Sequence, residues 1–151
     1  IAVHSAGFLH RDIKPANLMW AAAGQWKLID FGSARPLSEA SEQPLVGSVH
    51  CIAPEQFEAG LLDARTDLYA LGCSAYFALT GCFAHPGENT AQVIASHLYP
   101  QITEIRSLRP DLPRPIAQFI SQLCSRKPQD RPQSAGVALE LLISHQLDTT
   151  S

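Results

Sequence analysis

The longest apolar stretch of the chain runs over residues 68–84 and contains no charged side chain. A stretch of this kind is typical of a membrane span or of the buried central helix of a globular domain. It is short for a span, it includes Ser, Thr and Tyr, and Gly81 stands where a helix commonly ends. The pattern therefore favours a core helix with Asp67 at its front edge, and it predicts no membrane segment within these residues.

Apolar residues recur at helical spacing in three further segments toward the C-terminus. Asn89 can cap the first segment, which extends to about His97. The second covers residues 114–125 and has Pro115 in its first turn. Ser134 can cap the third. The apolar residues predicted to share one face of this last helix are Val137, Ala138, Leu141 and Leu142.

The first third of the chain has shorter apolar runs. Residues 18–20 and 26–29 are separated by a small Ala- and Gly-containing segment, which predicts a β-hairpin. Residues 32–48 are rich in Ser, Glu, Pro and Gly, which predicts a long loop, and long loops in compact domains are usually functional or mobile. The opening residues are typical of the last turn of a helix that ends at Gly7, so we expect the chain to be a piece of a longer protein. The fold class predicted is mainly α (α+β), with a short β-hairpin.

Composition narrows the class of protein. The 151 residues are 46% hydrophobic and 17% charged, which is ordinary for one globular domain. The formal net charge of −3 argues against a broad nucleic-acid surface, so no nucleic-acid partner is predicted. The four cysteines include no CxxC pair and the start has no secretory signal. We therefore expect reduced thiols and a cytoplasmic location, although a longer parent could be anchored in a membrane outside this segment.

The segment HRDIKPAN, residues 10–17, holds acidic, basic and carboxamide side chains with little apolar filler. A hairpin of the predicted length returns the chain beside this segment, so Asp30 would face Asn17. Carboxylate and carboxamide oxygens suit Mg²⁺, which takes its other ligands from water and phosphates. Each motif alone is ambiguous, because His-Arg-Asp also occurs in solvated turns and Asp-Phe-Gly in hairpin turns.

Five motifs follow one another along the chain. They are HRDIKPAN, DFG at 30–32, APE at 53–55, TDLYALG at 66–72 and DRP at 130–132. Together they resemble the large helical C-terminal lobe of eukaryotic-like (Hanks-type) Ser/Thr protein kinases of the bacterial type. The resemblance assigns residues 1–146 to that lobe and leaves 147–151 as a frayed tail. Lys14, two residues after Asp12, is the Ser/Thr-type pattern, and the N-terminal lobe is absent from these residues.

The resemblance implies transfer of the ATP γ-phosphoryl group to Ser or Thr hydroxyls of a protein substrate, with Mg²⁺ or Mn²⁺. Asp12 would accept the hydroxyl proton or orient that hydroxyl, and Lys14 would offset charge on the phosphoryl group. Asn17 and Asp30 would hold the metal against the nucleotide phosphates. Met19 would lie under the adenine ring.

The same resemblance implies regulatory residues. Arg11 would bind a phosphate on the activation loop, with Ser38 or Ser41 as the phosphorylated residue. Ser48 would be a structural hydroxyl that touches the catalytic Asp and Lys. Cys51 stands where an aromatic residue is common in the family. The resemblance therefore does not assign the substrate-docking pocket of this chain.

Three other residues are implied to be structural. Glu55 and Arg131 match a buried ion pair. Asp67 matches a buried acid that holds the backbone of the catalytic loop through hydrogen bonds.

Three functions remain possible at this point. The first is a Ser/Thr kinase whose N-terminal lobe lies elsewhere in the same protein. The second is a catalytically inactive docking or regulatory module, and binding of Mg-ATP would separate the two. A metal-dependent hydrolase using Asp12, Asn17 and Asp30 ranks last because it leaves Glu55 and Arg131 unexplained. The sequence contains no GxGxxG, so we expect the 151 residues alone to lack kinase activity.

Overall fold

The computed structural model describes residues 1–22, 24–42, 47–58 and 60–147. The helices are α1 Ala2–Ser5, α2 Pro54–Phe57, α3 Ala64–Thr80, α4 Thr90–Leu98, α5 Ile105–Leu108, α6 Arg114–Leu123 and α7 Ala135–Leu147. The strands are β1 Phe8–Leu9, β2 Leu18–Ala21, β3 Gln25–Leu28 and β4 Arg35–Pro36. Short 3₁₀ turns occupy Pro15–Asn17, Leu37–Glu42, Val49–Cys51 and Pro128–Asp130. The fold is mainly α with two small antiparallel sheets, which confirms the predicted class.

Helix α3 is the central element, as its apolar sequence predicts. It starts four residues before the apolar stretch because Asp63 caps it, with Oδ1 accepting from the backbone N–H of Arg65 at 2.9 Å. It ends at Gly81, whose φ of +72° is in the left-handed region. Over the part of the chain that is described, no helix is both long and apolar enough to cross a bilayer.

The main core lies between α3 and the C-terminal helices. Its buried members include Leu68 and Tyr76 on α3, Ile105 on α5, and Phe119 and Leu123 on α6. Helices α3 and α6 approach closely at Gly72, where an added Cβ would lie 2.6 Å from the Cβ of Leu123. A glycine at this point therefore sets how near the two helices can pack.

The β-hairpin forms as predicted, with β2 and β3 pairing antiparallel in the register Leu18 to Leu28. The Trp20 and Trp26 rings face each other across the strands at 5.1 Å between centroids. The backbone N–H of Ile29 donates to the carbonyl of Asn17 at 2.9 Å. This bond brings the end of the hairpin back beside the HRDIKPAN segment.

The structure corrects two expectations about local structure. Residues 32–48 are not simply a loop, because Arg35 and Pro36 pair with Leu9 and Phe8 as a second sheet and Leu37–Glu42 forms a 3₁₀ turn. Residues 43–46 lie outside the described part. In α7, Ala138 is buried but Val137 is 40% exposed, so Val137 does not face the core with it.

The remaining helices match their predicted caps. The Asn89 Oδ1 accepts from the N–H of Gln92 at 3.0 Å, and the Ser134 Oγ accepts from the N–H of Val137 at 3.1 Å. Helix α7 continues to Leu147, one residue into the segment expected to fray.

Candidate active site

The backbone of the HRDIKPAN segment is fastened to the first turn of α3. The two carboxylate oxygens of Asp67 accept from the N–H groups of His10 and Arg11, both at 2.9 Å. Its Oδ2 also lies 2.8 Å from Nε2 of His4 on α1. Asp67 is only 2% exposed, so the central helix fixes this loop through a buried carboxylate.

Two residues of the site adopt a backbone conformation that L-residues rarely use. Arg11 has φ of +67° and Asp30 has φ of +61°. A non-glycine residue in this region costs about 1–3 kcal/mol, and such residues cluster at functional sites. The backbone N–H of Arg11 donates to Asp67, which holds Arg11 in this conformation. The ring of His10 contacts the residue before Asp30, with Nε2 lying 3.1 Å from the carbonyl of Ile29.

The Asp12 carboxylate has three hydrogen-bond donors among the described residues. It accepts from Nζ of Lys14 at 2.7 Å, from Nδ2 of Asn17 at 3.1 Å and from the backbone N–H of Ser48 at 3.2 Å. The hydrogen bond to Asp12 is the main cause that raises the pKa of Lys14, which keeps this ammonium charged. Asp12 is 11% exposed and Lys14 31%, so solvent reaches the pair.

Asn17 is buried and its amide is oriented by Asp12. Its Nδ2 donates to both the carbonyl and Oδ2 of Asp12, at 2.8 and 3.1 Å. With the NH₂ group turned toward Asp12, the carbonyl oxygen Oδ1 is the part of the amide suited to a cation. Asp30, whose carboxylate is exposed, directly follows Ile29, and the backbone of Ile29 is hydrogen-bonded to the backbone of Asn17. The side chains of Asn17 and Asp30 therefore belong to one corner of the molecule.

An apolar surface adjoins this corner. Met19 is 46% exposed and Phe31 is 51% exposed. The ring of Phe31 meets the ring of His10 edge-on at 4.9 Å between centroids, which fixes its place beside the loop. A shallow groove lined by Phe8, Phe31 and Ala34 continues this surface.

A glycine that sequence reasoning did not single out lies close to the loop. Gly47 has φ of +117°, and an added Cβ would lie 2.9 Å from the carbonyl oxygen of Arg11. Only glycine allows Ser48 to come this near to Asp12. In the described contact, the backbone N–H of Ser48 donates to the Asp12 carboxylate. The sequence had predicted a contact through the Ser48 hydroxyl.

Residues 1–145 match the family model described as "Protein kinase domain". The chain belongs to the protein kinase family. It is 35% identical to the DNA damage-responsive serine/threonine-protein kinase RqkA of Deinococcus radiodurans over 91% of the chain and 21% of that relative. It is 32% identical to serine/threonine-protein kinase PrkC of Bacillus subtilis over 87% of the chain and 21% of that relative. The chain thus spans about a fifth of the length of these curated relatives.

A buried ion pair joins Glu55 and Arg131. Arg131 donates from Nη1 and Nη2 to the two carboxylate oxygens of Glu55 at 2.7 and 2.9 Å. The other acceptors of its N–H groups are the carbonyls of Ser125, Arg65 and Arg126, at 2.7, 2.9 and 2.8 Å. Its guanidinium carbon also lies 4.6 Å from the centroid of the Tyr69 ring. All five donors of Arg131 therefore have acceptors.

The predicted regulatory residues lie near the second sheet. Arg11 is 5% exposed, and burial, followed by repulsion from Arg35, lowers its pKa. Ser38 is exposed in the 3₁₀ turn that follows β4. The side chain of Ser41 lies outside the described part of the chain.

His10 is a further residue of the site that sequence reasoning left without a role. Its Nδ1 accepts from the N–H of Asp12 at 3.3 Å, while the opposite ring nitrogen reaches Ile29. One imidazole therefore ties the segment bearing Asp12 to the segment bearing Asp30. In the sequence His10 is marked only by its position directly before Arg11 in a polar segment. That position does not by itself show that His10 bridges two segments.

Proposed function

We propose that the protein is a Ser/Thr protein kinase and that this chain forms the C-terminal lobe of its catalytic domain. The main observation behind this proposal is that Lys14, Asn17 and the backbone N–H of Ser48 orient the Asp12 carboxylate at a surface that solvent can reach. Membership of the kinase family and the similarity to serine/threonine-protein kinases RqkA and PrkC support the same proposal.

In this proposal Asp12 accepts the proton of a Ser or Thr hydroxyl on a protein substrate, or orients that hydroxyl. A carboxylate held by three donors keeps a fixed direction, which places the hydroxyl for in-line attack. Lys14 then shifts from a partner of Asp12 to a partner of the phosphoryl oxygens, where its charge offsets theirs. Asn17 maintains the direction of the Asp12 carboxylate during that shift, since its amide contacts both the carboxylate and the carbonyl of Asp12.

ATP with Mg²⁺, or Mn²⁺, fits the donor set of the site. Asn17 and Asp30 offer one carboxamide and one carboxylate, few enough ligands for an ion that retains water and phosphate oxygens. When bound, the ion neutralises charge on the phosphates. Met19, exposed beside these residues, would contact the adenine base with a flexible apolar side chain.

Arg11 is proposed to respond to a phosphate on Ser38 or Ser41. A doubly charged phosphate would offset the repulsion between Arg11 and Arg35 and would fix the second sheet beside the catalytic loop. The four cysteines are free thiols, which together with the ATP requirement supports a cytoplasmic location for these residues.

The test is a phosphotransfer assay on the full-length protein with a Ser-containing protein substrate. Asp12→Asn is expected to lower kcat by about 10²–10⁴-fold while Mg-ATP still binds. Asp111→Asn serves as the matched control, since Asp111 is exposed and pairs only with neighbouring Arg109 among the described contacts. Equal rates for wild type and Asp12→Asn would overturn the proposal.

A docking module is the second candidate. The observation that favours it is that the apolar side chains Phe8, Met19 and Phe31 are all exposed, with Phe8 and Phe31 lining one groove. Titration of the full-length protein with Mg-ATP separates the two, because only the kinase proposal requires the nucleotide to bind.

A further inference from the structure

The Asp12 carboxylate receives one of its hydrogen bonds from outside its own loop. Lys14 and Asn17 belong to the same short segment as Asp12, whereas the backbone N–H of Ser48 reaches it at 3.2 Å from another part of the chain. Gly47 precedes Ser48 with φ of +117°, and a glycine can leave such a conformation at little cost. Contacts further along the chain therefore have to keep Ser48 beside Asp12.

The next residue, Val49, has such a contact. Its carbonyl oxygen lies 2.9 Å from Nε2 of His97, which is in the last turn of α4. His97 is buried, with 0% of its surface exposed, so water does not replace this hydrogen bond. An imidazole of α4 thus holds the backbone one residue beyond the N–H group that contacts Asp12.

The two ring nitrogens of His97 require one particular tautomer. A carbonyl oxygen only accepts, so Nε2 of His97 carries the hydrogen that it donates to Val49. Burial is the main cause that lowers the pKa of His97, to about 3, so the ring is neutral and its Nδ1 carries no hydrogen. That nitrogen lies 2.6 Å from the hydroxyl oxygen of Tyr69 on α3, which supplies the donor that Nδ1 needs.

A second histidine faces the same hydroxyl. His85 is also neutral, since burial lowers its pKa to about 4, and its Nδ1 donates to the carbonyl of Ser96 at 2.9 Å. Its Nε2 is therefore an acceptor, 2.8 Å from the Tyr69 oxygen. The hydroxyl has one hydrogen, and the shorter of its two contacts is the one to His97. The guanidinium carbon of Arg131, 4.6 Å from the centroid of the Tyr69 ring, helps to fix this donor in the core.

These contacts form one chain from the core to the catalytic loop. The Tyr69 hydroxyl donates to His97, which donates to the carbonyl of Val49. We propose that His97 is a positioning residue for phosphotransfer, because its Nε2–H holds the segment through which Ser48 orients Asp12. The Tyr69 hydroxyl maintains the tautomer of His97 that this requires. Both side chains are buried, so they act through Asp12 rather than on the substrate, and the inference rests on the proposed kinase function.

Two amide variants of His97 separate donation to Val49 from packing. A Gln side chain carries its NH₂ group about as far from the backbone as Nε2 of histidine, whereas Asn ends near the position of Nδ1. In the full-length protein with dephosphorylated casein as substrate, His97→Asn should lower kcat about tenfold or more. His97→Gln should stay within about threefold of wild type. The KM for Mg-ATP should change less than about twofold in both, since neither variant removes a nucleotide contact.

A pair of tyrosine variants on α3 supplies a control of similar stability cost. Tyr69→Phe removes only the hydroxyl that donates to His97, whereas Tyr76→Phe removes a hydroxyl that donates to the carbonyl of Thr103. Both tyrosines are buried, so the two variants should shift the midpoint of urea denaturation by similar amounts. Only Tyr69→Phe should lower kcat, by about threefold or more, because His97 can then carry its hydrogen on Nδ1 instead of Nε2.

The outcomes separate the positioning role from the kinase function. Equal losses of kcat in His97→Asn and His97→Gln would overturn the positioning role, as would equal kcat in Tyr69→Phe and Tyr76→Phe. A loss that appears in the KM for Mg-ATP rather than in kcat overturns it too, and active wild type leaves the kinase function standing in each case. The tyrosine pair decides alone if the amide variants do not fold. Absence of label from wild type, both in casein and in the protein itself, overturns the kinase proposal and the positioning role with it.

Discussion

Two carboxylate–cation pairs in this lobe have similar distances and opposite surroundings. The pair of Glu55 and Arg131 is buried, and every N–H group of the guanidinium has an acceptor. The pair of Asp12 and Lys14 is reached by solvent, with the two side chains 11% and 31% exposed. The first pair is closed to solvent and holds structure, whereas the second is open to solvent, and we propose that it exchanges partners during the reaction.

The same contrast appears in the backbone. Around Glu55 the chain is in ordinary helical geometry, while the open pair lies next to two non-glycine residues with positive φ. The segment with positive φ at Arg11 is stabilised by Asp67, a buried residue of α3 that accepts hydrogen bonds from the backbone of His10 and Arg11. The comparison teaches that the catalytic loop derives its order from the buried helix beneath it rather than from its own packing.

Breaking the closed pair should have the largest effect on stability. Glu55→Ala leaves the buried guanidinium of Arg131 without its carboxylate, so we expect a loss of about 3–5 kcal/mol in the free energy of unfolding. Urea denaturation measures it. Glu58→Ala is the control, because Glu58 is exposed in its pair with Arg126, and should change stability by less than about 1 kcal/mol. A cost for Glu55→Ala as small as that of the control would contradict the view of a closed pair.

The second largest effect on stability is expected from acid, which should lower the free energy of unfolding through the buried histidines His85 and His97. Burial lowers the pKa of His85 to about 4 and that of His97 to about 3, whereas an unfolded histidine titrates near pH 6.5. The unfolded state therefore binds more protons, so the stability these residues contribute is present above pH 6.5 and is lost as pH falls toward 4 and 3. Each unit of lowering corresponds to about 1.4 kcal/mol.

Urea denaturation of wild type and His85→Gln at pH 7.5, 6, 5 and 4.5 tests this. The amide can still donate to the carbonyl of Ser96 but does not titrate, so the variant should lose stability less steeply with falling pH. Identical pH slopes for the two proteins would rule out His85 as a source of the acid sensitivity.

The packing of the core predicts a smaller effect. Gly72→Ala would place a Cβ 2.6 Å from the Cβ of Leu123 and force α3 and α6 apart, at a cost of about 1–3 kcal/mol. Gly136→Ala in α7 is the matched control, because the nearest atom to its added Cβ is 3.6 Å away and alanine favours helix. The control should stabilise the protein by up to about 1 kcal/mol. Thermal unfolding of both variants should give changes of opposite sign, and equal changes would contradict the close approach.

The open pair should contribute least to stability. Lys14→Met removes a cation that is 31% exposed, so we expect a change of less than about 1 kcal/mol in the free energy of unfolding. In the full-length protein the same variant should lower kcat at least tenfold, because the methyl thioether cannot offset phosphoryl charge. A large loss of stability with unchanged kcat would reverse the roles assigned to the two pairs.

Much of the local structure was accessible from the sequence. The cap at Asn89, the helix end at Gly81 and the hairpin of residues 18–29 depend on interactions a few residues apart, and all three were found. Helical periodicity was less reliable at the edge of a buried face, since Val137 and Ala138 are neighbours and only packing decides which of them faces the core. The pairing of β1 with β4 was missed because it joins segments 26 residues or more apart with no alternating pattern.

The sequence by itself determined the family, since the order of its five motifs resembles that of protein kinases and residues 1–145 match the protein kinase domain. Tertiary structure alone decided how the side chains of the site are held. The closeness of Gly47 to Arg11, the backbone contact of Ser48 and the stack of His50 on Phe83 each join elements distant along the chain. Such contacts arise from the packing of helices and loops around α3, and the spacing of residue types along the chain carries no record of those distances.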